Sequence, residues 1–156
     1  MQQKIFSWVF LLTGIAIGLG ALGHDSNTRH LTEEFAKVPA LDAHVVAIIF
    51  AVWHFCSGCM LVFGAICVWT WWQIRKGQRG ALFAPILIGT FYVASGVATV
   101  LYTGKPFFWV FVGLGALLLV SSLILRRNAS VEPGCRAATM QGRLLRRIVI
   151  APSSRE

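Results

Sequence analysis

Four long apolar runs dominate the chain and predict its architecture. They cover residues 5–22, 43–72, 81–102 and 107–125, and shorter polar segments separate them. A helix needs about 20 predominantly apolar residues to cross the hydrocarbon core of a bilayer. Because lipid offers no hydrogen-bond partner for a peptide group, segments this apolar are expected to be α-helical. The pattern therefore predicts an all-α integral membrane protein built as a four-transmembrane-helix bundle.

The segment between the first two runs predicts a short additional helix over residues 28–38. Its apolar residues recur at helical spacing and are Leu31, Phe35 and Val38. Thr28 is the predicted N-cap, and Glu33 and Lys37 are spaced to pair across one turn. Asp42 is the predicted N-cap of the second apolar run. We expect an amphipathic helix at the outer face of the bundle, acting as an interfacial anchor or as a lid.

Composition supports the membrane interpretation and changes the meaning of the net charge. The chain is 56% hydrophobic and 13% charged, with a mean hydropathy of +0.70. Such a sequence has too little polar area to cover a water-facing surface. A formal charge of +8 would suggest nucleic-acid binding in a soluble protein. Here the basic residues lie between and after the apolar runs, so the expected partner is a lipid bilayer and not nucleic acid.

The distribution of charge predicts an orientation. Basic residues flank the apolar runs on one side of the predicted bundle: Lys4, Arg75, Lys76, Arg79, Arg126 and Arg127. The positive-inside rule then predicts that both termini are cytoplasmic, and we expect the inner membrane of a bacterium. Residues 1–127 form the predicted transmembrane domain, and residues 128–156 a basic, flexible cytoplasmic tail. In that tail Arg143, Arg146 and Arg147 are expected to contact an anionic lipid surface.

His54 is the most conspicuous polar residue within the apolar runs. An ionisable side chain at such depth is costly, usually faces the bundle interior and often marks function. Helical spacing and estimated depth predict a semi-polar interior in the outer half of the bundle, formed by His24, His54, Tyr92, Ser95 and Thr99. In the alternative interpretation, His54 bonds Tyr92 or a backbone carbonyl, and the small residues serve only close helix packing.

The three cysteines of the second run are predicted to be packing residues. Cys56, Cys59, Phe63 and Cys67 share one helical stripe, whereas His54 points elsewhere. A Cys-x-x-Cys redox pair normally works at an exposed helix N-terminus, where the thiolate is stabilised. In hydrocarbon a thiolate is disfavoured, and buried cysteine behaves as a small hydrophobe.

Cofactor binding is compatible with this sequence, but nothing in it requires a cofactor. His24, His30 and His44 are weak candidates for a shared metal ion, since imidazole suits zinc, copper, iron and nickel. A haem, a quinone or a metal ion are each compatible with the predicted interior. A haem held by two histidines would need a second histidine at the depth of His54, and no other apolar run supplies one.

These features lead to two main functional hypotheses. The first is a small ligand-binding or accessory membrane protein with its site around His54 and Tyr92. The alternative is a non-catalytic structural subunit or assembly factor that contacts other membrane proteins or itself. A redox membrane enzyme using quinone or haem is a less favoured interpretation. A membrane enzyme with His54, Glu33 or Glu34 as acid or base is the weakest, because the sequence contains no evident nucleophile–base set, phosphate-binding loop or metalloprotease pattern.

Overall fold

The computed structural model describes residues 2–38, 41–78 and 80–127, and within these residues the chain is helical and contains no strand. The helices are α1 (Gln2–Ser26), α2 (Thr28–Phe35), α3 (Ala43–Arg75), α4 (Phe83–Thr103) and α5 (residues 109–127). Four segments of these residues are long and apolar enough to cross a membrane, which confirms the all-α class and the four long apolar helices. The predicted tail, with Arg143, Arg146 and Arg147, and also Arg79 lie outside the described residues.

The ends of the long helices follow from local chemistry. The backbone N–H of His44 donates to the carboxylate of Asp42 at 2.7 Å, which confirms Asp42 as the N-cap of α3. α4 ends before Gly104, whose φ of 65° lies in the left-handed region that glycine adopts without strain. A 3-10 turn over Pro106–Phe108 then leads into α5.

The start of α2 differs from the prediction. Thr28 is the first residue of the helix, and Asn27 precedes it. The Thr28 hydroxyl donates to the carbonyl oxygen of Asp25 at 2.6 Å. Because Asn27 keeps helical backbone angles, the chain passes from α1 to α2 without the extended residue that an N-cap requires. The predicted Thr28 cap is therefore wrong.

The ion pairs of α2 also differ from the predicted one. Glu33 accepts from Arg29 at 3.2 Å, whereas Lys37 pairs with Glu34. Glu33 has partners available one turn away in both directions along the helix, and sequence spacing alone does not choose between them. Both pairs are exposed to solvent, so each contributes little to stability.

α1 and α3 form a tight antiparallel pair whose backbones touch. A Cβ added at Gly64 would lie 2.6 Å from the Cα of Gly18 and 3.0 Å from the carbonyl oxygen of Gly14. A Cβ added at Gly14 would lie 2.5 Å from the Cβ of Cys67. Small residues at such crossings let helices approach closely and gain van der Waals contact. The Gly14-x-x-x-Gly18 pattern is thus part of this interface.

α4 and α5 form a second close pair. A Cβ at Gly115 would lie 2.8 Å from the Cβ of Tyr92 and 2.8 Å from the carbonyl oxygen of Gly89. A Cβ at Gly96 would lie 2.8 Å from Val112. The position of Tyr92 is therefore fixed by a helix that passes directly beside its backbone.

α3 is longer than the helix it packs against. At 33 residues and about 1.5 Å per residue it spans roughly 50 Å, more than the hydrocarbon core of a bilayer. Its first turns extend past the end of α1, where α2 covers part of them. The ring of Phe35 packs edge-on against that of Phe50 at 5.7 Å. This extension of α3 past the end of α1 sets the level of its polar residues relative to α1.

The two ends of the bundle carry opposite charge. We call the end with the N-terminus of α1 the basic end; its cations are Lys4, Arg75, Lys76, Arg126 and Arg127. The other end, where α1 meets α2, is the acidic end; its carboxylates are Asp25, Glu33, Glu34 and Asp42, and they outnumber its three cations, Arg29, Lys37 and Lys105. Every acidic residue in the described ranges lies at the acidic end.

Candidate functional site

A cavity of about 290 Å³ lies between α3, α4 and the start of α5, in the half of the bundle toward the acidic end. Four of the five residues predicted for the site line it: His24, Tyr92, Ser95 and Thr99. α3 contributes Phe55, Cys56, Cys59, Met60 and Phe63, and α5 and the turn before it contribute Phe108 and Phe111. The lining is mainly apolar and aromatic, with few polar groups. This is the usual composition of a small-molecule site.

Tyr92 forms the inner wall of the cavity. Its side chain is only 4% exposed, and its ring packs against those of Phe63, Phe91 and Phe111 at centroid distances of 6.4, 6.2 and 6.0 Å. The hydroxyl is buried and has no hydrogen-bond partner among the described residues. A buried donor left unpaired costs about 1–3 kcal/mol. An unsatisfied polar group therefore lies in the wall of the cavity, behind the aromatic rings that enclose it.

The cavity opens sideways between α3 and α4. Phe55 and Phe91 line it and are 69% and 56% exposed on the outside of the bundle, and Cys56 beside them is also exposed. α3 packs chiefly along α1 and makes far fewer contacts with α4. The mouth thus faces the side of the bundle, which is apolar, and not one of its charged ends.

His24 stands at the rim of the cavity and joins α1 to α3. Its Nδ1 lies 2.9 Å from the hydroxyl oxygen of Ser57, and its ring stacks on that of Trp53 with centroids 3.8 Å apart. The indole N–H of Trp53 donates to the carbonyl oxygen of His24 at 3.1 Å. These contacts satisfy a carbonyl near the end of α1 and fix the imidazole at the edge of the cavity.

His54 does not line the cavity, contrary to the predicted cluster. Its Nδ1 lies 2.6 Å from the carboxylate of Asp25, and both side chains are 54% exposed. Cys56 is nearly level with His54 and does line the cavity, so the reason is the face of the helix: His54 lies about 200° around α3 from Cys56 and points to the end of α1. Its level also differs from that of Tyr92, which meets Phe63 roughly 13 Å further along the axis of α3. The hydrogen bond between His54 and Tyr92 that the alternative interpretation offered is therefore not formed.

The side of α3 that faces the cavity is the cysteine stripe. Cys56, Cys59 and Phe63 line the cavity, whereas Gly58 and Leu61, which share the stripe of His54, are exposed. Cys67, the last residue of the stripe, is fully buried against Gly14 as a packing residue. The helical spacing of these residues was visible in the sequence, but nothing in it distinguished an interior cavity from ordinary packing.

The histidines proposed as metal ligands do not come together. His30 and His44 are exposed, and His24 is engaged by Ser57 and Trp53. Across residues 2–38, 41–78 and 80–127 there is no group of three or more histidine, cysteine, aspartate or glutamate side chains placed to hold one metal ion.

No protein-family model, curated protein or solved structure matches this chain. The function is therefore argued from the cavity and its residues.

Proposed function

We propose that this protein is an integral membrane protein that binds a small lipid-soluble molecule in the cavity beside Tyr92. The observation that carries the proposal is the unpaired Tyr92 hydroxyl, which is enclosed by aromatic rings at the inner wall of that cavity. A phenolic O–H donates readily to a carbonyl oxygen. A ligand with an apolar body and a carbonyl group, as in a quinone, would fill the cavity, and a small tilt of the Tyr92 ring toward it would satisfy the buried hydroxyl.

Membrane insertion is supported by the outer surface of the helices. Large apolar side chains are exposed along all four long helices, including Leu12 at 60%, Val62 at 55%, Phe83 at 64% and Leu117 at 51%. A soluble monomer rarely exposes a contiguous apolar patch larger than a few hundred Å². Lipid chains would cover this surface and would also carry an apolar ligand to the mouth between α3 and α4.

The size and chemistry of the cavity favour a small ring compound over haem. A volume of about 290 Å³ is at the lower end of the range of about 300–1,000 Å³ typical of ligand pockets. His24 is the one imidazole in its lining among the described residues, so the lining offers a single axial ligand. A haem with two axial histidines has no support in this arrangement.

The proposal predicts that filling the cavity expels a bound molecule. In Ser95→Trp a bulky ring would occupy the part of the cavity next to Thr99, which is one turn away on α4. In Ala94→Trp the same ring would stand on the exposed side of α4. We expect wild type and Ala94→Trp, purified in mild detergent, to yield the same small carbonyl-containing molecule on extraction and mass spectrometry. Ser95→Trp should have lost it while keeping its helix content.

His54→Gln is the second control for this experiment. Because His54 lies outside the cavity and pairs with the exposed Asp25, the variant should retain the molecule at the wild-type ratio. Identical extracts from all four proteins, containing bulk lipid alone, would contradict the proposal. That result would favour the structural-subunit or assembly-factor hypothesis.

We further propose that the basic end faces the cytoplasm of a bacterium, with the protein in the inner membrane. Basic residues gather there, and such residues are retained on the cytoplasmic side. A reporter enzyme that is active only in the cytoplasm, fused after Glu156, should be active. A fusion placed in the loop after α2 should be inactive. The reverse pattern would disprove this orientation and the outward position of the cavity.

A further inference from the structure

A second cavity, of about 320 Å³, lies at the basic end and is separate from the site beside Tyr92. Three helices enclose it. Its lining includes Lys4, Ser7 and Trp8 from α1, Trp71 and Arg75 from α3, and Leu125 from α5. The rings of Trp8 and Trp71 pack together at 5.8 Å and form one wall. This cavity is a defined pocket between helices and not a single charged side chain on a surface.

The polar groups of this pocket are mainly donors. The guanidinium of Arg75 lies 4.9 Å from the centre of the Trp71 ring, and the ammonium of Lys4 is on the facing helix. The indole N–H of Trp71 is buried and has no hydrogen-bond partner in the described part of the chain. No carboxylate lines the pocket, and none pairs with Lys4 or Arg75 within the described ranges.

We infer that this pocket binds the phosphodiester headgroup of an anionic phospholipid. A phosphate supplies acceptor oxygens for a guanidinium and an ammonium at once, and arginine and lysine are common phosphate ligands. A small rotation of the Trp71 ring would bring its buried indole N–H to a third phosphate oxygen. Trp8 and Leu125 offer apolar surface beside these donors for the glycerol and the first acyl carbons. Basic pockets between helices on the cytoplasmic side of a membrane bind anionic lipid headgroups in this way.

The position of the pocket favours a lipid over a free phosphate ion. Tryptophan side chains gather at this end, where they mark a membrane–water interface. A lipid phosphate would lie at the same level, with its chains running along the apolar outer surface of α1 and α3. The inference shares membrane insertion with the proposed function but is independent of any ligand beside Tyr92.

The test compares lipid binding to the purified full chain in mild detergent. Dioleoylphosphatidylglycerol should raise the thermal midpoint and remain bound in native mass spectra, whereas dioleoylphosphatidylcholine should do neither. The double variant Lys4→Gln/Arg75→Gln should weaken binding of phosphatidylglycerol about thirtyfold. Trp71→Phe, which keeps the ring and removes the N–H donor, should weaken it about fivefold.

The matched control is Arg126→Gln/Arg127→Gln, which removes two positive charges from the same end. These side chains are exposed and do not line the pocket, so their charges act through solvent and are screened by salt over about 8 Å. This variant should keep binding within about threefold of wild type. An equal loss in both double variants would overturn the inference, because general surface charge would then explain the binding. Equal stabilisation by free glycerol phosphate would overturn the assignment to a lipid.

Discussion

Replacement of Gly64 by leucine is expected to separate α1 from α3 and to lower stability more than any other substitution proposed for this protein. Even a single Cβ at this position would lie 2.6 Å from the Cα of Gly18, and that atom belongs to a backbone that cannot rotate away. Overpacking a rigid contact typically costs 1–3 kcal/mol, and here we expect about 3 kcal/mol or more. Unfolding by increasing sodium dodecyl sulfate in mild detergent, followed by circular dichroism, measures this change.

Gly58→Leu is the matched control on the same helix. A Cβ at Gly58 has nothing within 4 Å, so the leucine side chain would extend into open space. Removing a glycine from a helix interior stabilises it by about 0.5–1 kcal/mol, so this variant should unfold no earlier than wild type. If both leucine variants lost stability equally, close contact between α1 and α3 would not be what holds the pair together.

Tyr92→Phe is expected to act in opposite directions on the empty protein and on the protein with its ligand. In the empty protein the change removes a buried hydroxyl that has no partner among the described residues, and the free energy of unfolding should rise by up to about 1–3 kcal/mol. With the ligand bound, the same change removes a hydrogen bond to the carbonyl group. The affinity should then fall about tenfold or more.

The control for this pair of measurements is Tyr102→Phe. Tyr102 is 92% exposed, so loss of its hydroxyl leaves both the stability and the affinity close to wild type. Thermal melts before and after extraction of the bound molecule measure the stability of the loaded and of the empty protein. Titration of the extracted compound into the empty protein measures the affinity. A Tyr92→Phe protein that binds the compound as tightly as wild type would show that the hydroxyl does not contact it.

Much of the fold follows from patterns that need no tertiary information. The four apolar runs, the Asp42 cap and the helical segment after α1 all depend on residues that are close in sequence. The errors in α2 came from choices between local alternatives. Thr28 can cap a new helix or continue an old one, and Glu33 can pair with Arg29 or Lys37. The geometry at Asn27 decides the first choice, and the sequence does not show it.

The site was harder to predict because it depends on the position of each helix along the axis of its neighbour. His24, Tyr92, Ser95 and Thr99 were grouped by helical face, and they line one cavity. His54 was grouped with them for two reasons: its side of α3 was taken to face inward, and its depth was counted from the start of an apolar run. That run continues well past the end of α1, and the contact between Gly18 and Gly64 sets the actual level of His54 relative to α1. A glycine pair of this kind cannot be identified from one sequence.

The cavity opens sideways between α3 and α4, and this position decides whether binding depends on the ligand concentration in the membrane or in bulk water. If lipid surrounds this face, the ligand reaches Tyr92 from the bilayer and never crosses the charged ends of the bundle. Occupancy then follows the mole fraction of the compound dissolved in lipid, and a dissociation constant referred to bulk water would include its partition coefficient. Two compounds with equal fit to the cavity would therefore differ in apparent affinity by the ratio of their membrane–water partition coefficients.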